Sequence, residues 1–181
     1  MTSDSPAASA LPLDKQNATA ADYIRILRLD HSAKHIFILP GLMLAYLLRG
    51  HQVTIHYADI VLGLLTAVCI ASANYVINEW LDQDFDQHHP TKSKRTAVQK
   101  KLRGAIIVIE WGILVGIGLT SAYLASRSMF LVAAVFAMQG IFYNVRPMRT
   151  KDRAYLDVIS ESINNPLRLM IGWAIGWVGL S

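Results

Sequence analysis

Asn78-Glu79-Trp80-Leu81-Asp82-Gln83-Asp84-Phe85-Asp86 ends a long apolar run in amide and carboxylate groups, and His89-Pro90-Thr91-Lys92-Ser93-Lys94-Arg95 follows as a basic loop. A helix continuing through the first stretch puts Asn78, Asp82 and Asp86 on one face, drifting about 40° per step. Oxygen ligands so placed suit a hard cation such as Mg2+, which keeps several waters and bridges to substrate phosphates. Lys92, Lys94 and Arg95 then supply direct phosphate contacts, Arg as a planar fork and Lys as a point charge. The chemistry expected is recognition of a diphosphate at a membrane surface, with Asn78, Asp82 and Asp86 as metal ligands and catalytic groups. A solvated cap on a membrane helix explains any one of these residues alone. The combination of a polar helical face with a phosphate-binding loop is what argues for a site.

Composition supports a membrane setting. Of 181 residues, 53% are hydrophobic and only 17% charged, with a mean hydropathy of +0.33. Soluble domains carry about a quarter charged residues. The fold class expected is all-α, a polytopic transmembrane bundle of about five helices. The net charge of +4 reads as loop bias in a membrane protein, and no nucleic-acid partner is expected. A single cysteine, Cys69, lies in an apolar run, so one chain forms no disulfide or cysteine metal site. Residues 1–19 are polar and rich in Ala and Ser, a disordered cytoplasmic tail, and residues 20–181 form the transmembrane domain.

Ala20 to Lys34 mixes apolar residues with Arg25, Arg28, Asp30 and Lys34, as an amphipathic helix on the membrane surface would. Arg28 and Lys34 suit interfacial anchoring better than phosphate contact. The spans expected are His35–Leu48, Ala58–Asn78, Gly104–Ala125, Met129–Tyr143 and Tyr155 to the end. Loop charge alternates. The lead-in segment, the loop from Lys92 to Arg103 and the loop from Arg146 to Arg153 are basic, whereas Gly50–Tyr57 has no Lys or Arg. The N-terminus and both motif loops should therefore be cytoplasmic, in a bacterial inner membrane.

A second constellation follows the fourth span. Arg149 and Lys151, with Arg153, lie on the same membrane side as the acidic stretch and can stabilise a departing diphosphate, although a positive-inside loop has the same composition. In the fifth helix Asp157, Glu161, Asn164 and Arg168 fall within roughly 60° of one another. A charged stripe facing lipid is expensive, so this face either lines a cavity, with Asn164 and Arg168 near substrate, or satisfies itself through ion pairs. Pro166 breaks one backbone bond there. Glu110 is a lone carboxylate within the third span, His88 and His89 read as solvated, and Gly172 and Gly176 permit close helix approach.

N-E-x-x-D-x-x-x-D at Asn78–Asp86 resembles the first aspartate-rich motif of the UbiA-type membrane prenyltransferases, with Glu79 in place of the usual Asp. The segment Tyr143 to Asp157 is similar to the Y-x-x-x-P-x-R-x-K-x-R-x-x-x-D stretch after the fourth helix of that family, and it brings Tyr143 into the candidate substrate-binding set. The resemblance implies a helical bundle opening to the cytoplasm, with Mg2+ holding a prenyl diphosphate and a hydrophobic acceptor, aromatic or lipid, taking the prenyl group as pyrophosphate leaves. The family bundle has about nine helices, and the likeness covers its first half. A fragment, or a half that works with a second half or partner chain, is expected. The H-P-x-K-x-x-R loop and the R-L-D-H-x-x-K lead-in also resemble polyprenyl-phosphate phosphoribosyltransferases of the same superfamily, whose donor is phosphoribosyl diphosphate. A third alternative is a non-catalytic lipid-phosphate binding or assembly subunit.

Overall fold

In the computed structural model, which describes residues 15–49 and 56–176, the chain starts with strand β1 (Gln16–Asn17) and helix α1 (Ala20–Ile26). A 3-10 stretch over Leu29–Phe37 leads into α2 (Ile38–Arg49). Next come α3 (Tyr57–Leu81) and the one-turn α4 (Gln83–Asp86). A 3-10 turn over Lys92–Lys94, the short α5 (Thr96–Gln99) and β2 (Lys100–Lys101) form the first basic loop. Helices α6 (Gly104–Ala125) and α7 (Arg127–Asn144), a 3-10 turn over Thr150–Asp152 and α8 (Ala154–Ile175) complete the order. The expected tail lies outside the described residues for 1–14, as do 50–55 of the polar link and 177–181 of the last helix. Residues 15–17, read from sequence as the end of that tail, instead pair with the first basic loop: β1 runs parallel to β2, and the Lys15 ammonium donates to Gln83 Oε1 at 3.1 Å.

Helices α3, α6 and α7 form where largely apolar residues run without proline, whereas α8 carries Pro166 and a polar stripe within it. Ser126 alone joins α6 to α7. Its extended backbone stops one helix, and its hydroxyl accepts from the Met129 amide at 3.1 Å to start the next. The expected amphipathic helix over Ala20–Lys34 is not continuous. Arg28 takes a left-handed backbone (φ 52°, ψ 48°) that breaks it after α1. For a residue with a Cβ this costs about 1–2 kcal/mol, and it turns the following 3-10 segment back toward α3.

Helix α3 lies along α6 and touches α7, while α8 lies along α2 and α7. Small buried residues of the three helices, Ala67 and Ala71 of α3, Ala122 of α6 and Ala133 of α7, share one core cluster, and Gly118 of α6 leaves room for Ile70 of α3. Phe136, Ile171 and Ile175 fill the space behind them. Helices α2 and α8 cross at two glycines. A Cβ on Gly41 would overlap the Leu169 carbonyl, and one on Gly172 the Ile38 carbonyl. Gly172, expected to permit close approach, makes that approach to α2.

Stretch 20–48, α3 and α6 are long and apolar enough to cross a membrane. Apolar side chains also face outward: Leu47 and Leu48 on α2, Val108, Ile109 and Ile113 on α6, Leu131 and Val135 on α7. Exposed apolar side chains on successive long helices are what lipid, in place of water, covers.

Candidate functional site

Helix α3 does not run through the acidic stretch, as the simplest reading of the spacing has it. It stops at Leu81, Asp82 takes φ −95° and ψ −3°, and α4 resumes for one turn. The hydrogen bonds that set the register nonetheless survive: the Asp82 amide donates to the Asn78 carbonyl at 3.1 Å and the Asp86 amide to the Asp82 carbonyl at 2.8 Å. Asn78, Asp82 and Asp86 therefore stay one turn apart and line the same cavity.

Two basic loops close on these groups from opposite sides. Arg149 donates through Nη2 to Asp82 Oδ1 at 2.9 Å, and the Lys151 ammonium sits 2.6 Å from the same oxygen. Lys151 also donates to Asn78 Oδ1 at 3.0 Å and to Asn144 Oδ1 at 2.9 Å. Burial pulls the Lys151 pKa below the ordinary lysine value, and the Asp82 carboxylate only partly restores it. On the other side Asp86, buried, is paired with Arg95, and Lys92 stands 3.9 Å from its second oxygen. Arg149 is further fixed by Asp152 at 2.9 Å through Nε and lies over the Phe85 ring.

The cavity holds about 690 Å3 and extends from this charged end along α8, a size that admits a substrate of moderate bulk. Tyr143 lines it, donating its hydroxyl to Asp157 Oδ1 at 2.8 Å, with its ring 5.6 Å from the Lys151 ammonium. Asp157, Glu161, Asn164 and Arg168 all line it as well. Of the two readings of the α8 stripe, the cavity wall is the one observed: among the described residues no ion pair joins Arg168 to a carboxylate. Arg28 and Lys34, better explained from sequence as interfacial anchors, line the cavity together with His31. The His31 ring receives Arg28 Nη2 at 2.8 Å and lies edge-on to Tyr75.

Lys94 is the one proposed substrate contact that the structure leaves out. It is exposed on the 3-10 turn and does not line the cavity. Glu79, whose role the motif left open, does not line the cavity with the metal-ligand candidates. Its carboxylate is buried and accepts from the Ala97 amide at 3.2 Å, tying α5 to α3. Glu110 and His88 stay outside the cavity, and His89 accepts from its neighbours Thr91 and Lys92. Sequence reasoning missed Asn144 and Tyr75. The signal for Asn144 was available, since it is the amide that ends α7 beside Tyr143. Tyr75 sits in an apolar helix with nothing local to distinguish it.

The architecture is thus a helical bundle with outward apolar side chains around a cavity in which an amide and two carboxylates meet four cations. The chain belongs to the UbiA prenyltransferase family, whose model matches residues 36–180. It is similar to the nodulation protein NoeC of Azorhizobium caulinodans, 26% identical over 110 residues that make up 60% of this chain and 36% of that one. It is also similar to protein y4nM of Sinorhizobium fredii, 24% identical over 88% of this chain and 30% of that one. Among solved structures, a UbiA homologue from Archaeoglobus fulgidus bound to GPP and Mg2+ superposes with a TM-score of 0.70 at 24% identity, covering 86% of this chain and 54% of that one. The same homologue bound to DMAPP and Mg2+ gives 0.70 at 23% identity, covering 86% and 55%. The chain thus spans about half the length of these structures and about a third of the curated relatives.

Proposed function

We propose that this protein transfers a prenyl group from a prenyl diphosphate to a hydrophobic acceptor, aromatic or lipid, with release of pyrophosphate, at the cytoplasmic side of a bacterial inner membrane. The carrying observation is the convergence of Asn78, Asp82 and Asp86 with Lys92, Arg95, Arg149 and Lys151 in one cavity. Residues 20–181 act as one transmembrane domain, half of a larger bundle that a second half or partner chain completes.

The residues present fit a hard cation. The oxygens Asn78 Oδ1 and Asp82 Oδ1 already converge on a single positive centre, the Lys151 ammonium. Among the described residues no group of three or more His, Cys, Asp or Glu side chains surrounds a metal position. With water and donor phosphate supplying the rest of its shell, Asn78, Asp82 and Asp86 would hold Mg2+. The relatives bound to Mg2+ with GPP and with DMAPP support that reading. When bound, the ion would neutralise charge developing on the diphosphate oxygens.

This chain's own groups do the rest. Lys92 and Arg95 approach from the first loop, and Arg149 and Lys151 from the second, so that the diphosphate is held on two sides and stabilised as it leaves. The bond between the allylic carbon and the bridging oxygen breaks with its electron pair going to pyrophosphate. The acceptor nucleophile forms the new bond to the allylic carbon, and its proton passes to the released pyrophosphate. Tyr143 and Phe85 present aromatic surface beside the cations at that end.

One observation favours a second reading, phosphoribosyl transfer from phosphoribosyl diphosphate to a polyprenyl phosphate. Arg28, His31 and Lys34 of the lead-in line the same cavity as Lys92 and Arg95, and a ribose phosphate donor calls for such added cations. Binding of labelled prenyl diphosphate and of labelled phosphoribosyl diphosphate, each with Mg2+ and with EDTA, tests both. Mg2+-dependent binding of the prenyl donor, lost in Asp82→Ala and Asp86→Ala, is expected. Preference for phosphoribosyl diphosphate selects the second reading. Binding unchanged in both variants removes the site.

A further inference from the structure

Arg168 is a charge without a counter-charge. It is 4% exposed, and its partners among the described residues are all neutral: Nη1 donates to the Asn164 carbonyl at 3.3 Å and to Asn165 Oδ1 at 3.4 Å, the guanidinium lies 5.3 Å from the centre of the Phe136 ring, and the Tyr75 hydroxyl also meets it. Its Nε has no hydrogen-bond partner among the described residues. Buried charges in proteins are paired or held by ligands, because an isolated one forfeits its hydration without return. Neutral acceptors orient a guanidinium but do not neutralise it. The same side chain lines the cavity, so the missing counter-charge has a route in.

Its place along α8 separates it from the donor end. Asp157, which meets Tyr143 beside Lys151, and Arg168 are eleven residues apart, about 16 Å along the helix axis. The cations around Asp82 and Asp86 are each paired with carboxylates, whereas among the described residues Arg168 meets only neutral groups. We infer that Arg168 forms a second anion subsite, which takes the oxyanion headgroup of the acceptor, a carboxylate or a phosphate monoester, while the Asp82–Asp86 end takes the donor diphosphate. This rests on the donor site proposed above. The reacting ends of donor and acceptor would thus be set by two fixed charges at opposite ends of one cavity, and an acceptor lacking the anion would leave the guanidinium buried and unpaired, a strong basis for rejection.

Equilibrium binding to the detergent-purified protein in EDTA tests this with three oxyanion probes, farnesyl monophosphate, benzoate and inorganic phosphate, and with neutral farnesol. At least one oxyanion is expected to bind wild type, to weaken tenfold or more in Arg168→Gln, and to weaken less in Arg168→Lys, which keeps the charge but loses the fork. Farnesol should bind wild type and Arg168→Gln alike, which shows that the variant is folded. The probe that binds names the source: the farnesyl ester a lipid phosphate, benzoate a carboxylate acid, inorganic phosphate a free anion. Lys94→Ala, which removes an exposed cation outside the cavity, should leave this binding unchanged. Equal oxyanion binding by wild type and Arg168→Gln, or no oxyanion binding at all, overturns the subsite. Mg2+-dependent prenyl diphosphate binding, measured in parallel, reports separately on the donor site.

Discussion

The Lys151 ammonium stands 2.6 Å from Asp82 Oδ1 and 3.0 Å from Asn78 Oδ1, so a side chain from the second basic loop occupies the point on which two proposed metal ligands converge. Two cations cannot share that point, since like charges in a poorly hydrated site repel strongly. Lys151 must therefore shift toward the diphosphate when a metal enters. Lys151→Met should tighten Mn2+ binding without any diphosphate by roughly tenfold, about 1.4 kcal/mol, and weaken binding of the prenyl diphosphate. Mn2+ titration followed by electron paramagnetic resonance checks the first effect, and equal or weaker Mn2+ binding would count against the shared position.

Asp86 and Arg95 form the matching pair on the first loop, with Asp86 buried and Arg95 largely so. Removing one member leaves the other charged in a dry place. Arg95→Gln should cost about 1–3 kcal/mol of stability and should weaken donor binding. The double variant Arg95→Gln, Asp86→Asn should recover the stability but not the binding. Thermal melts in detergent and donor binding separate the two effects.

Glu79 holds the first loop in place from behind. Its Oε1 accepts from the Ala97 amide, two residues after Arg95, in a buried position. Glu79→Gln keeps an acceptor and should stay close to wild type in melting. Glu79→Ala leaves that amide unpaired and should cost about 1–3 kcal/mol, with weaker donor binding because Arg95 is no longer fixed. Equal behaviour of the two variants would show that the hydrogen bond does not position the loop.

The two-glycine crossing of α2 and α8 predicts a sharp contrast within one residue type. Gly172→Ala drives a Cβ into the Ile38 backbone, which cannot yield as a side chain would, whereas Gly112 on α6 has nothing within 4 Å of its added Cβ. Gly172→Ala should destabilise by about 1–3 kcal/mol. Gly112→Ala should be neutral or stabilising by up to about 1 kcal/mol. Melting temperatures of the two variants, compared with wild type, decide it.

The sequence by itself determined the helices and which residues share a face. Apolar runs set α3, α6 and α7 close to the expected bounds, because backbone groups in lipid must be satisfied within the segment. The four-residue spacing of Asn78, Asp82 and Asp86 survived even the break at Asp82, because the i to i+4 hydrogen bonds are local. The α8 stripe was legible for the same reason. Periodicity says which residues share a face but not what that face meets, and this only the tertiary structure decided. Arg149 and Lys151 reach Asp82 across 67 and 69 positions of chain, through a loop whose path depends on α7 and α8 packing together. Arg28 turned to the cavity through a left-handed backbone that its residue type does not favour. Glu79 turned from the motif to the loop behind it, Lys94 turned to solvent, and Arg168 was left in the cavity with no acidic partner among the described residues. Charge and spacing are local properties, whereas pairing and burial are settled by where the helices come to rest.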